Sequence, residues 1–218
     1  MSRASRRLVL VAGLVLAVAG PALAAGKAAA SKPAAPARDD LYLGSARAPV
    51  TVVEYASLGC PHCAAWSNDV FPAFKARYID TGKVRFGLRE MLTGNSTLAA
   101  AGFAVARCAG PAKYFQVVDG VFRAQPQMAA TGNAYEPLKQ VAADAGLDEA
   151  AFKACIADQS RIDAIEARER RAEADGVTGT PTFFVAGEKL EGEHDLASLG
   201  AAVDKALAAA RHRPRRRR

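Results

Sequence analysis

Two cysteines separated by two residues, in Leu58-Gly59-Cys60-Pro61-His62-Cys63, are the part of this chain best suited to chemistry. Residues three apart at the start of a helix lie on nearly one face, roughly 5–6 Å apart, which is within the Cα separation a disulfide accepts. The pair can open and close with little backbone movement, so it makes a reversible two-electron couple. Cys60 falls at the helix start, where unsatisfied N–H groups and the macrodipole favour a thiolate. Cys60 is therefore the expected nucleophile and Cys63 the resolving thiol. In such motifs the reactive thiol drops from about 8.5 into a range of roughly 3.5–7.5. Each unit below ambient pH stabilises the reduced form by about 1.4 kcal/mol, or about 30 mV. His62 can donate to the Cys60 sulfur or, when protonated, neutralise it. Pro61 fits a first turn that has no use for its missing N–H. A structural zinc site wants four ligands, but there is no second Cys-X-X-Cys pair, and His194 and His212 lie in unrelated contexts. The spacing predicts redox chemistry and no metal site.

The elements around the motif must hold it on a strand-to-helix junction. Residues 50–55 form an apolar run into the motif, and Trp66, Val70, Phe74 and Tyr78 follow at helical spacing. The near-continuous run predicts a strand covered on both faces. Glu54 interrupts it six residues before Cys60. Two readings of that acid are open: it lies beneath the disulfide and takes the proton of Cys63 as that thiol attacks, or it faces solvent at the strand end. Pro72 inside the helical pattern predicts a kink or a restart near Asp69, and residues 83–88 read as a second strand.

From 96 to about 175 strand signals vanish, and caps and stops divide the stretch into about five helices. They cover 96–109, 112–123 ending before Pro126, 135–145 closing on Gly146, 149 to about 159 with Asp148 as N-cap, and 162–175 closing on Gly176. Cys108 and Cys155 lie on the apolar stripes of two of these helices. In an oxidising compartment they are expected to pair as a structural disulfide, worth about 4 kcal/mol by the chain-entropy formula; two free buried thiols are the alternative. Strand character returns over 178–185, opening on Gly179-Thr180-Pro181, with Ala186-Gly187 turning into 188–191. A proline opening a strand sits at an edge or is cis. A last helix begins at Asp195 with Leu196, Leu199, Val203 and Leu207 on one stripe.

The two ends belong to neither strand nor helix pattern. Arg3, Arg6 and Arg7 precede an apolar run over 8–19 and a small-x-small site at Ala22-Leu23-Ala24, so 1–24 read as an export signal cleaved after Ala24, or as an anchor if uncleaved. Residues 25–40 read as a flexible Ala/Pro/Lys linker, and 211–218 as a basic tail. The formal charge of +7 belongs to these ends: without the three signal arginines and the six of the tail, the body carries about −2. That partition, with export, argues against a nucleic-acid partner.

Taken together, Cys60-Pro61-His62-Cys63 after a strand, the helical insertion, and Gly179-Thr180-Pro181-Thr182-Phe183 before a hairpin and a final helix resemble the DsbA-like branch of thioredoxin-fold thiol:disulfide oxidoreductases. The resemblance spans roughly 41–210. It implies an α/β thioredoxin-like fold, a central sheet flanked by helices over 41–95 and 176–210, with an all-helical subdomain inserted at 96–175. It also implies a cis Pro181 against the disulfide, a Thr180 backbone that pairs with an extended client, and Glu54 as the buried acid assisting proton transfer. The implied protein is a periplasmic oxidase needing no cofactor. It acts on reduced, unfolded exported polypeptides and is reoxidised by a DsbB-like, quinone-linked membrane partner. Thr180 before the proline is shared with the isomerase and reductase branch, so a reductase or isomerase stays open. A thiol-based copper metallochaperone is a further reading. The short linker leaves no room for that branch's dimerisation domain, so a monomer is expected.

Overall fold

The computed structural model describes residues 39–212. The expected export signal lies outside the described residues, as do most of the linker and most of the basic tail. Five strands form one mixed sheet: β1 (Leu41–Leu43), β2 (Val50–Ala56), β3 (Val84–Glu90), β4 (Thr182–Val185) and β5 (Glu188–Glu191). They lie in the order β1-β3-β2-β4-β5, with β2 and β3 parallel and the other pairs antiparallel. A parallel pair needs a crossover, and the helical stretch after the cysteine motif supplies it. β1 went unread in the sequence because three residues carry no usable period.

Alternation along β2 sends its side chains to two faces. Val50 and Val52 pack with Trp66, Phe74, Tyr78, Phe86 and Phe183. Val53 and Tyr55 pack on the other side with Phe184, Ala172 and Val177. Trp66 is the hub of the first cluster, 4.8 Å from Phe183 and 6.1 Å from Phe86 between ring centres. Burying each such ring is worth about 1.5–3 kcal/mol, so this cluster anchors the helix that carries the cysteines.

That helix is not a plain α-helix. α1 (Pro61–Ala65) passes into a π-helical turn (Trp66–Val70), then α2 (Phe71–Phe74), then a second π-turn (Lys75–Ile79). The first π-turn is how the chain admits Pro72: the Phe71 N–H donates to the Trp66 carbonyl, and Pro72 falls in the first turn of α2, where no N–H is required. The restart thus falls at Val70, which has no side-chain cap, rather than on an Asp69 cap.

Between β3 and β4 the chain forms α3 (Ser96–Cys108), α4 (Tyr114–Thr131), α5 (Tyr135–Asp144), α6 (Glu149–Ala157) and α7 (Gln159–Ala174). α4 corrects the sequence reading, since it runs through Pro126 to Gly132 instead of stopping before the proline. The carbonyl that Pro126 leaves unpaired is that of Phe122, and Asn68 Nδ2 donates to it at 3.1 Å. Cys108 on α3 and Cys155 on α6 are bonded, with 6.0 Å between their Cα atoms. The insertion is tied to the sheet by Glu90 at the end of β3, which is 0% exposed. It accepts from Arg107 of α3 at 2.6 Å, Arg168 of α7 at 2.5 Å and the Tyr114 hydroxyl of α4 at 3.0 Å. α8 (Leu196–His212) closes the sheet through Leu199 and Val203.

Candidate active site

The loop from β2 into α1 places Cys60 as the residue before the first helical turn, with φ −97° and ψ 120°, and Pro61 begins the helix. Its carbonyl accepts from Ala64 N–H at 3.2 Å, and its own N–H donates to the Ser57 carbonyl at 3.1 Å. The turn is held from across the cleft by the loop after β3, where Asn95 N–H donates to the Gly59 carbonyl at 3.1 Å. This approach leaves no room for a side chain: a Cβ on Gly59 would stand 2.1 Å from the Asn95 carbonyl oxygen. Gly59 is therefore part of how Cys60 is positioned.

Cys60 and Cys63 are both buried and both carry free thiols, so the structure is the dithiol form. The two sulfurs are strongly unequal. The Cys63 thiol donates to Cys60 and, with the Thr180 side chain and the main-chain N–H groups of Cys63 and His62, lowers Cys60 to about 5 against the opposing effect of burial. Cys63 is pushed far above the usual thiol range, first by burial, then by its bond to Cys60 and by the charges of Glu54 and Cys60. At neutral pH the pair is one thiolate and one thiol.

Glu54 lies on the same face of β2 as Val52, paired in register with Phe183 and Leu88, and is only 2% exposed. The solvent-facing alternative is therefore overturned. Burial pushes its carboxyl up to about 8, and the charge of Cys60 adds to the effect. Its Oε1 has no hydrogen-bond partner. A cavity of about 320 Å³, walled by Phe71, Phe86, Phe115 and Phe122 with Lys75 and Asp119, includes Glu54 in its lining.

On the other side of Cys60, the Thr180–Pro181 peptide is cis, and the Cys60 thiol lies 3.4 Å from the Thr180 carbonyl, to which it donates when protonated. Pro181 immediately precedes β4. The His62 ring is placed differently from the sequence expectation: its Nδ1 pairs with Glu193, and both side chains are exposed. Residue 62 serves the Cys60 sulfur through its main-chain N–H. Among the described residues no group of three or more His, Cys, Asp or Glu side chains is placed to hold a metal ion.

Three contributors escaped sequence reasoning. Gln125 on α4 donates to the Leu58 carbonyl at 2.8 Å and to that of Cys60 at 3.4 Å. Thr93 meets the Thr180 hydroxyl, and Glu193 meets His62. Each reaches the motif from far along the chain and carries no local signature.

A strand-loop-helix carrying a Cys-X-X-Cys pair, faced by a cis proline and backed by a buried acid, defines a thioredoxin-fold redox protein with a helical insertion. The thioredoxin family model matches residues 37–205, and the chain belongs to that family. A Rickettsia conorii protein named provisionally as a protein-disulfide oxidoreductase is 35% identical over 78% of this chain and 61% of its own length. The chain thus spans about three-fifths of the length of the first such relatives. Disulfide bond formation protein D of Bacillus anthracis, so named as probable, is 30% identical over 76% of this chain and 77% of its own. The crystal structure of α-DsbA1 from Wolbachia pipientis superposes with a TM-score of 0.71 at 29% identity, covering 80% of this chain and 94% of that one.

Proposed function

We propose that this chain is an exported thiol:disulfide oxidoreductase that donates a Cys60–Cys63 disulfide to folding proteins. The observation that carries the reading is the inequality of the two sulfurs, with Cys60 held at about 5 beside a Cys63 that keeps its proton. At pH 7 a thiolate of that acidity stabilises the reduced pair by about 3 kcal/mol, or about 60 mV, over an ordinary thiol. Electrons therefore tend to flow from client to protein.

The cycle balances as follows. A client thiolate attacks Cys60, the Cys60–Cys63 bond breaks, and Cys63 leaves as a thiolate that takes a proton. Neutral Glu54, behind the pair, is the donor. The client's second thiolate then attacks the client sulfur of the mixed disulfide and expels Cys60 as a thiolate. The client has lost two electrons and the protein has gained them. On reoxidation by a DsbB-like, quinone-linked membrane partner, Cys60 attacks that partner's disulfide, and Cys63 gives its proton to ionised Glu54 as it attacks Cys60. The cis Thr180–Pro181 segment, next to Cys60 and at the start of β4, is where an extended client would pair. Reduced, unfolded exported polypeptides are the client class, acted on by a monomer in the periplasm. Among the described residues no helix is long and apolar enough to cross a membrane.

The test is a glutathione redox titration of the pair, together with acid trapping and alkylation of the protein in cells. An oxidising midpoint and a mostly oxidised pool are expected. A mostly reduced pool would instead assign the chain to a reductase or isomerase, the reading that Thr180 before the proline favours.

A further inference from the structure

We propose that Thr93 is a positioning residue for the reactive sulfur: its hydroxyl holds the Thr180 side chain, and with it the cis-proline loop whose Thr180 carbonyl stands at hydrogen-bonding distance from Cys60. Thr93 stands in the loop after β3, between the two segments that meet at the sulfur. Its main chain is tied to the cysteine side, where the Ser57 hydroxyl donates to the Thr93 carbonyl at 2.7 Å. The same Ser57 oxygen accepts from Gly59 N–H at 3.1 Å. Its side chain is tied to the proline side, where the Thr93 and Thr180 hydroxyl oxygens lie 2.5 Å apart across 87 residues of sequence. The Thr180 carbonyl in turn lies 3.4 Å from the Cys60 sulfur. Cys60 and the cis-proline loop are thus registered to one another through a single threonine.

Hydroxyl bookkeeping gives the bridge a direction. Each hydroxyl carries one proton. If the Thr180 hydroxyl gives its proton to the thiolate side, its oxygen is left to accept from Thr93, so the Thr93 hydroxyl acts on the sulfur through Thr180. Hydrogen bonds linked in this way polarise one another, and each strengthens the next. The Thr180 side chain is among the groups that lower Cys60. Without the Thr93 hydroxyl, Thr180 loses both its anchor and its polarising donor, so the thiolate is less stable and the disulfide relatively more so.

The inference rests on Cys60 being the low-pKa thiolate, and the experiment separates the two claims. Ultraviolet thiolate absorbance is followed across pH, and the glutathione equilibrium constant is measured, for the parent, Thr93→Val, Thr93→Ser, Thr180→Val and the double variant Thr93→Val/Thr180→Val. Thr93→Val is expected to raise the Cys60 midpoint and to shift the glutathione constant toward the disulfide by about three- to tenfold. Thr93→Ser should behave as the parent. In the Thr180→Val background the second substitution should add nothing. Thr93→Ala removes the hydroxyl without bulk and gives the same reading if the valine does not fit. An unchanged midpoint in both variants overturns the proposal, as does a serine variant that shifts as far as valine, or an equal shift in the Thr180→Val background. A parent that titrates like an ordinary thiol would instead overturn the reading of Cys60 itself.

Discussion

Gln125 Nε2 donates to the Leu58 carbonyl at 2.8 Å and reaches that of Cys60 at 3.4 Å, so an inserted helix grips the loop carrying the reactive sulfur. The insertion does more than cover the sheet. Replacing Gln125 by Leu keeps the bulk and removes the donor from the Leu58 carbonyl, while the Cys60 carbonyl keeps only its bond from Ala64 N–H. A loss of about 1–3 kcal/mol in urea unfolding is expected, with faster amide exchange at Gly59 and Cys60. Unchanged stability and exchange would show that the contact does not hold the loop.

Glu90 makes the second connection between insertion and sheet. With no exposure, it accepts from Arg107, Arg168 and Tyr114, which come from three different helices. Glu90→Gln keeps the volume but removes the carboxylate shared by two largely buried guanidinium groups, leaving Arg168 its 3.3 Å ion pair with Asp39. Breaking a buried pair from one side costs about 3–5 kcal/mol, and urea unfolding should read a loss of that order with little dependence on salt. A loss below about 1 kcal/mol would mean that the arginines find other partners.

What could be read from sequence was what is local. Cys60, Pro61, His62 and Cys63 are consecutive, and glycine and proline stops are visible one helix at a time, so the sheet split by five helices was legible. What failed depended on partners elsewhere in the chain. Pro126 reads as a helix stop because a window around it cannot show Asn68 supplying the donor to the Phe122 carbonyl. The His62 ring reads as a partner of Cys60 because Glu193, 131 residues away, is invisible from the motif. Glu54 was ambiguous for a similar reason, since its burial depends on the helical turns and α4 packed over that face of β2.

The low Cys60 value makes stability depend on redox state. Its folded value of about 5 lies below the 9.0 of a free thiol. Between those limits the reduced fold binds fewer protons than its unfolded chain, so this contribution is present at high pH and lost as pH falls through 5. The oxidised protein has no such thiol. The stability of the reduced form relative to the oxidised form should rise by about 3 kcal/mol from pH 5 to pH 7, read by urea unfolding with and without dithiothreitol. A flat difference across that range would reject a depressed Cys60.

Glu54 acts in the opposite direction, and the oxidised protein isolates it. Its folded value of about 8 lies above the ordinary 4.5, with burial as the larger cause. Between those limits the fold binds more protons than the unfolded chain, so stability falls as pH rises, by up to about 1.4 kcal/mol per unit and on the order of 5 kcal/mol across the window. In the reduced parent this slope partly cancels that of Cys60 over their shared range. In the oxidised form it stands alone, and smaller, because burial still raises the carboxyl but the Cys60 charge that adds to it is gone. Glu54→Gln removes the ionisation while keeping the shape, so the oxidised variant should gain on the parent as pH rises from 5 to 8. The same substitution removes the proton acceptor proposed for Cys63. Closure of the Cys60–Cys63 bond from a mixed disulfide should therefore slow by about 10²-fold or more above pH 8, where the parent acid is ionised. A variant that gained stability with pH but closed the bond at the parent rate would keep Glu54 as a buried acid and remove it from the proton transfer.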